Sequence, residues 1–196
     1  MSGQSSWVIL ALILGVIVLA AVAVITLSGG GGKEPAPAPT PAPTPAPTPG
    51  PSAEVSLPEA IAGFELVSQF DHIEPIFPGE LYSSLVSFAP LEGSDFAGAV
   101  ERMGITAYLF EDEKSAKEAL ELLIGSTYPG AQSVQVEGLE AYLFADLEAG
   151  QAGLLWQEGP VVYEIFVTAP QQGEPDLERL KEAAFTGARA VISPGA

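Results

Sequence analysis

His72 is the only histidine in the chain, set in Asp71-His72-Ile73-Glu74 with Glu80 close behind. An imidazole beside carboxylates is the minimum from which a zinc site or a general base can be built, so a metal-binding domain or metal-dependent enzyme centred on His72 is one reading. Most zinc sites draw on more than one His or Cys, and this chain has no cysteine to add. Hydrolase chemistry would need a nucleophile held against the base. No G-x-S-x-G elbow is present, and Ser83, Ser84 and Ser94 have no special context. The expectation is that His72 lies in a solvated polar loop.

Glu111, Asp112 and Glu113 offer oxygen ligands of the kind calcium takes, but no D-x-D-x-D-G loop surrounds them. They stand where a helix begins, and a helix N-terminus favours negative charge and a capping Asp, so they read as a cap. The glycine run Gly29 to Gly32 has no strand before it or helix after it and cannot be a phosphate loop. The sequence therefore predicts no catalytic residues, no metal ligands and no cofactor, and a protein that is not an enzyme.

Charge narrows the partners. The chain holds 25 acidic residues against 7 basic ones, a net charge of −18, and all of these except Lys33 and Glu34 lie beyond Ala53. Such a field repels phosphate, which argues against nucleic acid. The absence of cysteine rules out disulfides and a lipidated cysteine, and the absence of asparagine rules out N-glycosylation.

Behind these residues lies a pattern of alternation and helical periodicity. Strands are predicted at 63–70, 81–88, 104–110, 133–137, 139–146, 153–157 and 161–168. One helix is predicted from the Asp112 cap to Ile124, stopped by Gly125, with Glu113–Lys117 and Lys114–Glu118 pairs on its outer face. A second is predicted from about Asp176 to Ile192, with Leu177, Leu180, Ala184, Ala188 and Val191 as its apolar stripe. Short links such as Glu137-Gly138 and Glu158-Gly159-Pro160 call for antiparallel hairpins. The expected fold is α+β, a curved antiparallel sheet of six or seven strands with two helices in the order βββαββββα.

Several strands are apolar on both sides. Ile105, Ala107 and Leu109 alternate with Tyr108 and Phe110, and Leu139, Ala141 and Leu143 with Tyr142 and Phe144; in 161–168, Glu164 shares a side with Phe166. Two helices can cover one face each, making the aromatics core, or both can cover the aliphatic face and leave the aromatic one to a ligand or partner. Tyr108, Phe110, Tyr142, Phe144, Glu164 and Phe166 form the candidate binding face.

The stretch Leu155-Trp156-Gln157-Glu158-Gly159, then Tyr163-Glu164-Ile165 and, after a turn, Asp176-Leu177-Glu178-Arg179-Leu180, resembles the C-terminal hairpin and helix of extracytoplasmic domains in membrane-anchored anti-sigma-type and lipoprotein-like proteins. The resemblance covers about 35 of the 196 residues. It implies a non-catalytic sensing or partner-binding module outside the membrane.

Nearer the N-terminus, Trp7 to Leu27 is an uncharged apolar run of 21 residues. At helical rise it spans about 30 Å, the thickness of the hydrocarbon core. Its fourteen Leu, Ile and Val residues favour insertion by about 4 to 8 kcal/mol. A cleaved signal peptide is the competing reading, but no basic n-region precedes the run, and Ala21-Val22-Ala23 lies inside it; an uncleaved anchor is expected. From Pro35 to Pro51 proline alternates with Ala or Thr and, at position 50, Gly, which leaves polyproline II as nearly the only ordered choice and a reach of roughly 50 Å. Thr40, Thr44 and Thr48 in this stalk are candidate O-glycan acceptors.

The sequence thus divides into a membrane anchor (1–28), a disordered Gly/Pro/Ala/Thr-rich spacer (29–55) and an acidic α+β domain (56–196). The expected protein is single-pass, held in the cell membrane by residues 7–27, with its C-terminal domain outside binding a protein partner in the membrane or envelope. A surface-layer or pilus-like subunit using the hydrophobic N-terminus for assembly is a further alternative.

Overall fold

The computed structural model describes residue 55 and residues 57–194, all within one unit comprising residues 50–196. The anchor and nearly all of the spacer lie outside the described residues, as does any helix formed by 7–27. Among the described residues no helix is long and apolar enough to cross a membrane.

Seven strands form one antiparallel open sheet: β1 (Phe64–Ile73), β2 (Glu80–Pro90), β3 (Arg102–Phe110), β4 (Gln132–Val136), β5 (Leu139–Asp146), β6 (Gln151–Glu158) and β7 (Val161–Thr168). Helix α1 (Glu113–Leu122) follows β3 and runs directly into a π-turn, Leu123–Thr127; helix α2 (Leu177–Ile192) follows β7. The element order matches the βββαββββα expectation. Across the sheet the strands run β1-β2-β3-β7-β6-β5-β4, so β1 and β4 are the edges and β3 pairs with β7 at the centre.

The hairpins form where the turn residues require them. Glu137 and Gly138 link β4 to β5 with φ of 50° and 86°, the paired left-handed conformations of a tight turn whose twist matches the strands it joins. Asp112 caps α1, its carboxylate accepting from Ser115 N at 2.7 Å, and Asp176 caps α2, accepting from Arg179 N at 3.1 Å. Each satisfies an amide that the first helical turn leaves without a partner.

Three local expectations differ from what is seen. His72 lies within β1, because the strand continues past a bulge to pair Ile73 with Ser83, and the segment is no loop. Gly125 does not stop the helix but sits inside the π-turn, where Tyr128 N donates to Leu123 O at 2.9 Å, five residues back. Of the expected α1 pairs, Lys114–Glu118 is present at 3.4 Å, but Lys117 reaches forward to Glu121 at 3.9 Å instead of back to Glu113.

The helices take one face each. On the aliphatic face Met103, Ile105, Leu154, Trp156, Ile165 and Val167 are fully buried and pack with Leu180, Ala183, Ala184 and Ala188 of α2. On the aromatic face Tyr108, Phe110, Phe144, Leu155 and Val162 pack with Ala116, Ala119, Leu120 and Leu123 of α1 and the π-turn. A third, smaller cluster of Ala107, Leu109 and Val161 packs with Val55, Leu57, Tyr82 and Tyr163, so that buried apolar groups lie on both sides of a sheet whose central strands are apolar on both faces.

Candidate functional site

The candidate face is organised by the register of the strands. Reading across the sheet, Phe70 pairs with Leu85, Leu85 with Thr106, Thr106 with Glu164, Glu164 with Leu155, and Leu155 with Tyr142, so these six residues lie in one row on the aromatic side. The next row contains Ser87, Gly104, Phe166, Gly153 and Phe144. Helix α1 and the π-turn cover only part of this surface. No residue of β1 or β2 joins the aromatic-side core.

The six candidates separate accordingly. Tyr108, Phe110 and Phe144 are buried and belong to the packing under α1. Tyr142, Glu164 and Phe166 are half-buried, Glu164 and Phe166 on the central strand β7 and Tyr142 on β5, away from β1 and β2. Tyr142 lines a groove of about 280 Å³ between α1 and β5, together with Lys117, Leu120, Glu121, Ile124 and Glu140. Sequence reasoning missed Phe70, Leu85, Thr106 and Tyr128. Phe70 and Leu85 follow only from knowing that β1 and β2 extend the same face, Thr106 was available from the alternation that places Tyr108 two residues on, and Tyr128 comes from a π-turn that no residue pattern announces.

Glu164 is the polar centre of the face. Its Oε2 accepts from Tyr108 Oη at 2.6 Å, and its Oε1 accepts a short hydrogen bond from Tyr128 Oη. A half-buried carboxylate needs such donors, and a phenol suits the task because its ring also packs against the apolar surroundings. Tyr128 stacks on Phe144 with ring centroids 3.8 Å apart, and Phe144 in turn lies over Gly153. Burial, and then the Glu164 charge, push the Tyr108 and Tyr128 hydroxyls well above the ordinary phenol value. Both stay protonated and act as donors.

A second carboxylate, Glu80, is buried where β2 begins. Its Oε2 accepts from the amides of Ile76 at 2.8 Å and Phe77 at 2.9 Å, while Oε1 makes no hydrogen bond. This clamp fixes the loop before β2 and sets Phe77 edge-on against Tyr108, centroids 5.3 Å apart. It closes one end of the aromatic-side core.

The serines form no nucleophilic arrangement. Ser83 and Ser84 are buried in β2 on opposite faces, and Ser94 lines an open cavity of about 380 Å³ with Gly63, Asp95, Phe96 and Thr186, its buried Oγ hydrogen-bonded to neither Asp95 nor any other group. Among the described residues no group of three or more His, Asp or Glu is placed to hold a metal ion. Asp112, the middle of the acidic triplet, is occupied as a cap.

No family model matches the chain, and neither a curated protein nor a solved structure matches it.

Proposed function

We propose that this chain is a membrane-anchored, non-catalytic binding domain displayed outside the cell, tethered by residues 7–27 through the Pro-rich spacer, with a protein of the membrane or envelope as its partner. The uncharged run of 21 residues supports the anchor, and the Thr-Pro stalk suits a solvated arm outside the membrane. The observation that carries the binding reading is where the apolar surface lies. Among the described residues eight large apolar side chains are exposed, and five of them (Leu66, Val67, Phe70, Ile76 and Leu81) fall on β1, the start of β2 and the loop between them. Leu66, Val67 and Phe70 lie on β1, which contributes nothing to the core under α1. Scattered apolar residues are ordinary, whereas a gathering of them on one wing is what a docking surface requires.

The test is a photo-crosslinking residue placed at Phe70 in the full chain, with Leu122 on α1 as the reference position, in cells of the source organism. A discrete protein adduct from position 70 and none from 122 is the expected result. Adducts of equal yield at both positions, or at neither, overturn the reading. Placement is tested separately by protease added to intact cells, which digests the domain if it lies outside.

A further inference from the structure

We infer that the free edge of β1 takes up an extended segment of a partner protein, apolar and bearing Lys or Arg, as an eighth strand of the sheet. The inference rests on the binding reading above and names the chemistry of the partner.

Three independent features coincide on this wing. The first is topological: β1 is an edge strand, paired with β2 on one side and with no described strand on the other. An edge of this kind presents a row of backbone donors and acceptors that an extended segment can satisfy. The second is apolar exposure on both sides of the same strand. Phe70 shares a side with Leu85, while Leu66 shares the opposite side with Phe88, and they are 55 % and 43 % exposed. An added strand would cover both with alternate side chains.

The third feature is charge. From Glu59 to Glu101 the chain carries eight acidic residues and no Lys or Arg, and Glu65 and Asp71 stand exposed on β1 itself. Of the six bases of the domain, Lys114, Lys117, Arg179, Lys181 and Arg189 each pair with a glutamate, and Arg102 begins β3, with β2 between it and β1. The wing therefore presents a field of one sign, which selects a cationic segment and speeds its arrival.

The same features disfavour other occupants. A second copy of the chain would bring its own acidic β1 against this one. Two register shifts, between Leu66 and Ser68 and between Phe70 and Ile73, further break the edge that a continuous self-paired sheet would need. An anionic lipid surface meets the same repulsion. A short flexible segment with positive side chains can pair with the regular stretches on either side of a bulge, which suits a reversible contact.

The experiment uses the full chain in nanodiscs of zwitterionic lipid, with amide hydrogen exchange as the readout. The probe is a short capped peptide alternating lysine with valine, and the reference is the same peptide with glutamate for lysine. The expected result is saturable slowing of exchange across 64–73 with the lysine peptide alone, weakened by added salt. Val67→Lys should weaken binding by about tenfold or more, while Leu122→Lys, with the same change in net charge, should leave it unaltered. Absence of slowing at 64–73, slowing spread over the whole acidic surface, or equal loss in the two lysine variants overturns the proposal. Slowing that grows with protein concentration without peptide assigns the edge to a second copy and also overturns it. Slowing on Gly104 and Phe166 in place of β1 sinks the edge proposal but leaves the binding reading standing, whereas a silent crosslinker at Phe70 removes both.

Discussion

Tyr128, at the end of the π-turn, hydrogen-bonds Glu164 in the middle of the central strand β7, and so ties the element that follows α1 to the floor of the sheet. Tyr108 supplies a second phenol to the same carboxylate from the neighbouring strand. Tyr128→Phe keeps the stacking on Phe144 but removes one donor to a partly desolvated charge, at a cost of about 1.5 kcal/mol. The double variant with Tyr108→Phe should cost more than the sum of the singles, because the carboxylate then loses both partners. Urea midpoints followed by fluorescence of the buried Trp156, in a Trp7→Phe background, check both.

The alkaline limb of stability follows from the same phenols. Tyr108, Tyr128 and Tyr163 are all raised above 10.0 in the folded domain, each chiefly by burial, and then by Glu164 for the first two and Glu158 for the third. Their folded values lie above their unfolded ones, so the folded state holds protons that the unfolded state has released. These groups leave stability unchanged below pH about 10 and erode it as pH rises further. Spectrophotometric titration should show Tyr108, Tyr128 and Tyr163 ionising late, and Tyr128→Phe should remove one late-ionising group.

At the acid end the Asp112 cap works in the opposite sense. Its carboxyl is held below the ordinary value, first by the backbone hydrogen bond from Ser115. The contribution is present above the unfolded carboxylate value and is lost as pH falls through the folded one. Asp112→Asn keeps a capping oxygen and should flatten this part of the pH profile, while Asp112→Ala should lower the stability of α1 at neutral pH as well. Hydrogen exchange of the first α1 turn across the acid range distinguishes the two.

Gly153 on β6 has no room for a side chain. A Cβ there would overlap the carbonyl oxygen of Ile165 and the ring of Phe144, and the first of these is backbone in the sheet and cannot yield cheaply. Gly153→Ala should destabilise the domain by about 3 kcal/mol and loosen the Phe144–Tyr128 stack above it. A fall in melting temperature together with loss of near-ultraviolet tyrosine signal is the expected pair of observations.

Glu137 occupies a turn position with φ of 50°, which few side chains other than Asn and Asp adopt readily. Its ion pair with Arg189, 3.5 Å between exposed groups, returns little. Glu137→Asn should therefore stabilise the β4–β5 hairpin by about 0.5 kcal/mol, measurable as a higher urea midpoint.

The strands and helices were legible because their signals are local. Alternation marked all seven strands, and Asp112 and Asp176 marked the starts of both helices. Long-range arrangement was not legible. Apolar residues on both sides of 104–110 and 139–146 show that two faces are covered somewhere, but only the packing reveals that α1 takes the aromatic face and stops short of β1 and β2. His72 was misplaced because Pro75, Pro78 and the charges around them read as a loop, whereas cross-strand pairing with β2 carries β1 on to Ile73. The π-turn was hidden for a related reason. Gly125, Ser126 and Thr127 end an α-helix by propensity, and the hydrogen bonds of Tyr128 to Glu164 and Leu123 are what wind them once more.

The meeting of β3 with β7 has a consequence for biogenesis. Arg102 faces Thr168 across that seam, with a helix, a π-turn and three strands between them in the chain. While the polypeptide is being delivered, β1–β3 is a ribbon whose inner border stays unzipped until the seventh strand arrives. β7 makes both mid-sheet pairings, with β3 and with β6, so a chain truncated before Val161 would be left with β1–β3 and β4–β6 as separate pieces with unpaired edges in place of one finished domain.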